Sequence, residues 1–540
     1  MTIACQPKSA RRWLMATTLI FVWHAAQVAV ASEHWSTSGW RHTTPEDQGM
    51  SSKLLANLLG EVNERKYRID SVTVVRNGYV VLDAYFHPFK KGLKHIIHSD
   101  TKSVMSALIG IAIDRGEIKS VHQPVTGFFP GRTIANFDDR KRAMTLEHLL
   151  TMTSGLNCRD RSRDGWLGLS RMLNSPDWTQ YVLDMPMAQA PGQQFRYCNG
   201  ASFLLSAILQ NATNTSAFGY ANTHLFGPLG IKDVYWRNTS KGVTVGYGEM
   251  YMHPHDMAKF GWLYLNKGRW AGRQIVPNTW VETSTRRHVE TSSGRYYGYQ
   301  WWGDASGYYM ALGYRGQQII VVPAKNLVVV FTSDLGLPNI RTPRNLLEQF
   351  IIPAVRSNSP LPTDRKQQSR LRDLVNNASA GPTEDIIWRT ASDGLVRGDV
   401  FIRTAPPAFT LRIPPGSRME AVLPEYPNRL MQMQAISGFR FSASLTTVPE
   451  AATLRQVGPD VYAAKLKIVT PNLNVTANQK IQLKNGTSAY LTEISWRERG
   501  RHLTRYLVSA FNNGKWVYVE ATTWTESKHA YNFVRSLRFR

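Results

Sequence analysis

The sequence is poor in cysteine, in acidic residues and in long apolar runs, and each shortage narrows what the chain can be. Three cysteines stand in 540 residues. Cys5 falls in a stretch that reads as an export signal, so the mature chain keeps Cys158 and Cys198 and forms at most one disulfide. Two separate buried thiols are the alternative. Asp and Glu number 39 against 64 Lys and Arg, a formal net charge of +25. The excess is spread along the chain without a Lys/Arg block, which excludes the usual nucleic-acid footprint. A solvated basic surface in loose association with anionic cell-envelope polymers is the expectation instead. The apolar run Trp13 to Trp23 is about half of the ~20 residues a membrane span needs, and His24 and Gln27 interrupt it. Lys8, Arg11 and Arg12 before it and Ala29-Val-Ala31 after it read as a signal peptide cleaved near Ala31, implying a periplasmic or secreted protein. A membrane anchor is the rival reading. No internal repeat or low-complexity tract occurs. Apolar residues at 43% and charged residues at 19% fit a globular protein with more than one domain.

The segment Asp70 to Phe86, DSVTVVRNGYVVLDAYF, alternates apolar and polar residues around Asn77-Gly78, a hairpin signal. From about Thr145 to Leu265 the pattern is mostly helical. Strand character returns from Tyr296 to Asp334, read as three antiparallel strands with turns near Asp304-Gly307 and Pro323-Asn326, and Arg344 to Val355 reads as a closing helix. A sheet begun near the N-terminus is thus completed roughly 200 residues later, an α+β sandwich with an α-helical lobe. The Pro/Ser-rich stretch 357–370 reads as a linker. It separates residues 32–356 from a second α+β unit, 371–540. That unit is expected to hold a four-stranded meander broken at Asn485-Gly486, Arg499-Gly500 and Asn513-Gly514, and a last helix with Ala530, Phe533, Val534 and Leu537 on one face. No titratable cluster in it suggests a function.

The segment His98 to Ile118, HSDTKSVMSALIGIAIDRGEI, opens an apolar helix with a polar turn. Ser99 and Lys102, three apart, share a face. A serine is a weak nucleophile until a base takes its proton, and a desolvated lysine can do so. Lys102 alone among the lysines has a serine three positions before it. On these residues alone a Ser N-cap with an incidental lysine remains open.

Further motifs follow in order: Leu146 to Leu156 (LEHLLTMTSGL), Pro191 to Leu209 (PGQQFRYCNGASFLLSAIL), His255 to Trp270 (HDMAKFGWLYLNKGRW) and Gly313 to Pro323 (GYRGQQIIVVP). Over roughly residues 45 to 355 the chain resembles the serine β-lactamase and penicillin-binding-protein superfamily. It is most similar to the class C β-lactamase-like branch that includes esterases and 6-aminohexanoate-oligomer hydrolases. The resemblance implies a Ser-x-x-Lys pair in which Ser99 is acylated and Lys102 is base or proton relay. It implies a Tyr-x-Asn element at Tyr197-Cys198-Asn199, the tyrosine moving protons and Asn199 holding a substrate amide or the lysine. It places the third element, usually Lys-Thr-Gly or His-x-Gly, at Tyr314-Arg315-Gly316. This is a departure: Arg315 either anchors a substrate carboxylate or points to solvent. The amides of Ser99 and Gln317 would form the oxyanion hole, with Gly316 leaving room for the acyl group. A Cys158–Cys198 bridge would pin the Tyr-x-Asn element.

Two absences narrow the chemistry. No Glu-x-x-Leu-Asn lies between Cys158 and Pro191, so the class A deacylating glutamate is missing, and no Gly-x-Ser-x-Gly occurs anywhere, against an α/β-hydrolase elbow. His253, His255 and Asp256 have a metal-like look, but the resemblance makes Asp256 the cap of a helix opening at Met257, and His98 is read as packed rather than catalytic. The expectation is a serine hydrolase acting on a small-molecule or peptide ester or amide, with no metal or organic cofactor and no nucleic acid. A D-alanyl-D-alanine peptidase or β-lactamase, and a binding protein that kept the fold without turnover, are the alternatives.

Overall fold

The computed structural model describes residues 35–379, apart from 88, 159, 161–166 and 292–293, and beyond them a set of strands between 386 and 539. The segment read as a signal peptide lies outside the described residues. Among the described residues no helix is long and apolar enough to cross a membrane.

A nine-stranded sheet organises the first domain. In spatial order its strands are Arg41–His42, Tyr79–Tyr85, Ile69–Arg76, Leu327–Ser333, Gln318–Val322, Tyr309–Leu312, Trp302–Gly303, Tyr296–Tyr297 and Val289–Glu290. The edge pair of Arg41–His42 with Tyr79–Tyr85 is parallel, and the other neighbours are antiparallel. The hairpin at Asn77-Gly78 forms as the sequence predicts, with φ of 50° and 80° at the two turn residues, the paired left-handed conformation of a tight right-twisting hairpin. Its Ile69–Arg76 strand pairs with Leu327–Ser333, so chain segments more than 200 residues apart close the sheet. Leu327–Ser333 is buried along its whole length. Val328 and Val330 face one core, and Leu327, Val329 and Phe331 face the other. A strand covered on both faces needs an unbroken apolar run rather than alternation.

Between Tyr296 and Asp334 the sheet has five strands, not the expected three. The two unread breaks lie where backbone turns left-handed: at Gln300, φ 61°, and at Arg315-Gly316, φ 65° and 95°. The closing helical segment is present from Thr342 to Ala354.

The expected linker is largely not one. Arg356 and Ser357 donate their amides to Gly49 O at 2.9 and 3.2 Å, and Leu361 donates to Glu46 O at 2.8 Å. A helix, Arg365–Ser379, begins inside the range and lies against Ser52–Glu64. Leu371, Leu374, Val375 and Ala378 fall at helical spacing and cover the core that contains Leu55 and Leu59. Gln368 Nε2 donates to Glu46 Oε2 at 2.8 Å.

The C-terminal strands Asn474–Gln482, Ser488–Glu498, Arg501–Asn512 and Lys515–Thr523 form the expected antiparallel meander. It belongs to a seven-stranded sheet that continues through Arg440–Thr446, Arg429–Gln434 and Arg418–Glu420. The helix expected around Ala530 to Leu537 lies outside the described residues.

Candidate active site

Ser99 lies in a single 3-10 turn, His98–Asp100, from which the helix Thr101–Asp114 departs. The turn is held from its N-terminal side. The strand His95–Ile96 before it pairs with Met250–Met252, and Ile97 donates its amide to Met250 O at 2.9 Å. His98 has φ of 47°, an uncommon conformation for a residue with a side chain. Its ring meets the Tyr314 ring edge-on at 5.6 Å. No side-chain cap closes this helix; the Ser99 hydroxyl meets the lysine instead.

Lys102 is 1% exposed and its Nζ donates to three oxygens: Ser99 Oγ at 3.0 Å, Asn199 Oδ1 at 2.7 Å and Tyr247 O at 2.8 Å. Burial lowers its pKa to about 7, against the opposing pull of Asp160 and Asp100. An amine poised there is neutral in a large fraction of molecules near pH 7 and accepts a proton readily. The Asp100 carboxyl, fully buried with no hydrogen-bond partner on either oxygen among the described residues, is pushed well above the usual carboxylate range by desolvation.

Tyr197 brings its ring centroid within 4.8 Å of Lys102 Nζ. Burial raises its phenol pKa, while a side-chain hydrogen bond with Ser99 works the other way, so the phenol stays protonated at neutral pH. Asn199 begins the helix Asn199–Thr213, and its amide donates to Asp160 Oδ2 at 2.5 Å. Cys198, between the two, is bridged to Cys158, with Cα atoms 5.8 Å apart. Cys158, Asp160 and Cys198 are the one grouping of potential metal ligands among the described residues, but bridged sulfurs supply no thiolate. His253, His255 and Asp256 do not converge: they face Asp233, Asp83 and Lys259 respectively. The helix there is Pro254–Leu265 with His253 at its N-cap, so Asp256 is not the cap. Proline suits the first helical position because its missing N–H has no partner to lose.

The third motif approaches the nucleophile through glycine. A Cβ on Gly313 would lie 2.5 Å from Ile97 O, closer than any side chain allows. Gln317 is fully buried. Its side chain is locked to the backbone of Ser333, donating to Ser333 O at 2.6 Å and accepting from Ser333 N at 3.0 Å. Among the described hydrogen bonds, the amides of Ser99 and Gln317 donate to no backbone group. One expectation is corrected here. Arg315 neither points freely to solvent nor stands ready for a carboxylate: its guanidinium pairs with Asp334 Oδ1 at 2.5 Å, while Arg68 takes Asp334 Oδ2 at 2.7 Å. Gly316 has a packing requirement of its own, since a Cβ there would meet Ser333 Oγ at 2.5 Å and Leu335 Cδ1 at 2.8 Å.

Sequence reasoning missed Tyr247, which contributes a carbonyl and so carries no side-chain signature. It also missed Asp160 and Gln300. Gln300 is buried and joins three helical segments: its carbonyl accepts from Ser103 Oγ, its Oε1 accepts from Ser202 Oγ, and its Nε2 donates to the carbonyls of Leu149 and Leu150.

A half-buried serine held by a buried lysine, with a tyrosine and an asparagine, on a mostly antiparallel sheet joined to a helical lobe, defines a serine hydrolase of β-lactamase architecture. The Beta-lactamase family model matches residues 53–349, and the chain belongs to that family. It is 24% identical over 322 residues to a 6-aminohexanoate-dimer hydrolase of Paenarthrobacter ureafaciens, covering 55% of this chain and 81% of the relative. It is 28% identical over 188 residues to the protein flp of Staphylococcus aureus strain MW2, covering 33% of this chain and 37% of that protein. A solved structure from Bacillus anthracis, provisionally named a 6-aminohexanoate-dimer hydrolase, superposes with a TM-score of 0.50 at 19% identity, covering 60% of this chain and 89% of that one.

Proposed function

We propose that this protein is an exported hydrolase that cleaves an ester or amide through an acyl-enzyme on Ser99. Neutral Lys102 takes the Ser99 hydroxyl proton as Oγ bonds to the substrate carbonyl carbon. The amides of Ser99 and Gln317 hold the resulting oxyanion. As the C–O or C–N bond breaks, Tyr197 passes the proton, supplied by Lys102, to the leaving group, and a water deprotonated along the same route releases the acid. Asn199 and the Tyr247 carbonyl hold the lysine in place throughout. The observation that carries this reading is the three-point anchoring of a buried lysine with one of its contacts on the serine. A binding-only protein has no use for that cost of burial. Hydrolase-named relatives support the same class, and the basic, apolar and small-residue order of residues 8–31, with one disulfide in the mature chain, supports export.

Hydrolysis of short aryl esters by the purified protein and by Ser99→Ala tests the reading. Loss of nearly all activity in a folded Ser99→Ala is expected; an unchanged rate overturns it.

A further inference from the structure

The aromatic wall beside Tyr197 ends in a cation, Arg295, that forms no ion pair among the described residues. Tyr197 stacks on Trp302 at 6.1 Å and 26°. Trp302 is half-buried, with Phe195 and Tyr297 against it edge-on. The Arg295 guanidinium lies over the same indole, 5.9 Å from its centroid. Arg295 precedes the Tyr296–Tyr297 strand, whose register sets Tyr297 opposite Trp302 and Tyr296 opposite Gly303.

The neighbouring acids are already engaged. Glu290 pairs with Arg287 at 2.5 Å, Glu348 with Arg344 at 3.0 Å and Asp304 with Arg344 at 3.6 Å. Glu348 also accepts from the Tyr308 hydroxyl at 2.7 Å. Among the described residues Arg295 forms no ion pair, and its Nε is buried without a hydrogen-bond partner. Desolvation, and then the charges of Arg344 and Arg341, lower its pKa below the ordinary arginine value, against the opposing pull of Tyr308 and Asp304. A half-buried guanidinium with an empty donor, next to two more arginines, is costly unless something negative completes it.

We propose that Arg295 and Trp302 form a subsite for a carboxylate on the leaving-group portion of the substrate. The proposal rests on the Ser99 acyl-enzyme reading, which puts the leaving group on the Tyr197 side. A substituent extending from the scissile bond past Tyr197 runs along Trp302 and meets the guanidinium fork, whose geometry matches a carboxylate in a two-point contact. Arg315, tied to Asp334, does not compete for that role.

The test uses two esters alike but for a carboxylate or a carboxamide on the leaving alcohol, with kcat/KM measured for the full chain, Arg295→Gln and Arg295→Lys. The wild-type protein is expected to prefer the carboxylate ester by about tenfold, the worth of a charged hydrogen bond. Arg295→Gln should abolish that preference and Arg295→Lys should keep part of it. Equal rates on both esters, or an Arg295→Gln that loses both alike, overturns the subsite. Failure to hydrolyse either ester while a fluorophosphonate still labels Ser99 overturns the subsite but leaves the nucleophile standing. Failure to label Ser99 overturns both.

Discussion

Lys102 Nζ lies closer to Asn199 Oδ1, at 2.7 Å, than to Ser99 Oγ, at 3.0 Å. The asparagine therefore acts on the lysine, and through it on the serine. A neutral acceptor stabilises the ammonium only modestly, which leaves burial free to bring the pKa to about 7. Asn199→Asp would place a full negative charge at the same atom. The expected outcome is a rise of one unit or more in the pKa governing acylation, with a matching loss of rate at pH 7. A pH–rate profile of kcat/KM for the variant checks it, and an unshifted profile would remove Asn199 from this role.

The wild-type profile follows from the same group. Below its pKa Lys102 is protonated and accepts nothing, so kcat/KM should fall about tenfold per pH unit on the acid side of a limb near 7. Above it the amine is neutral and the rate levels off. Burial raises the Tyr197 pKa, so no descending limb from its ionisation is expected below pH 10. The profile should be recorded with a neutral ester, so that substrate ionisation contributes nothing.

Gly313 permits the close approach of the third motif to the nucleophile turn. Gly313→Ala sets a methyl 2.5 Å from Ile97 O, and the cheapest relief is a shift of the Gly313–Gln317 segment away from Ser99. A misplacement approaching 1 Å at reacting groups costs about a hundredfold in rate. The expected variant is folded, with near-native circular dichroism and kcat reduced by that order. Full activity would show that the segment does not set the oxyanion geometry.

The bridge between Cys158 and Cys198 closes a 40-residue separation. Chain-entropy arguments give such a loop about 3–4 kcal/mol of stability. The double variant Cys158→Ser/Cys198→Ser should therefore unfold at clearly lower denaturant concentration. Because Cys198 sits between Tyr197 and Asn199, activity should fall even where the variant remains folded. Denaturant titration and ester hydrolysis, measured side by side, separate the two effects.

Arg315 is occupied by Asp334, so it offers little to the carboxylate of a penicillin. A fluorescent penicillin is expected to give no stable adduct with the wild-type chain. Stable labelling would instead favour the wall-peptide or β-lactam alternative.

The parts of this arrangement that rest on side-chain chemistry were legible in the sequence, and the parts that rest on backbone were not. Ser99, Lys102, Tyr197 and Asn199 need particular functional groups, and the spacing of two of those pairs is fixed by one helical turn or one extended step. The hairpin at Asn77-Gly78 was legible for a related reason, because few residue pairs tolerate two positive φ values. Tyr247 acts through its carbonyl, which every residue has. Arg315 could be placed near the site but not aimed, since its contact depends on a left-handed turn and on Asp334 from the end of the neighbouring strand. Gln300 joins three segments distant in sequence, and no local pattern marks it. The helix inside the expected linker was hidden by Pro and Ser residues ahead of it, although Leu371, Leu374, Val375 and Ala378 carry its apolar stripe.

The central claim is that Lys102 makes Ser99 a nucleophile. Intact-mass spectrometry of the full chain after incubation with a neutral fluorophosphonate, beside Ser99→Ala and Lys102→Met, tests it most directly. The account predicts one adduct on the wild-type protein, mapped to Ser99, none on Ser99→Ala and labelling slowed at least a hundredfold in Lys102→Met. A folded wild-type protein that takes up no probe, or a Lys102→Met variant that labels at the wild-type rate, would contradict it.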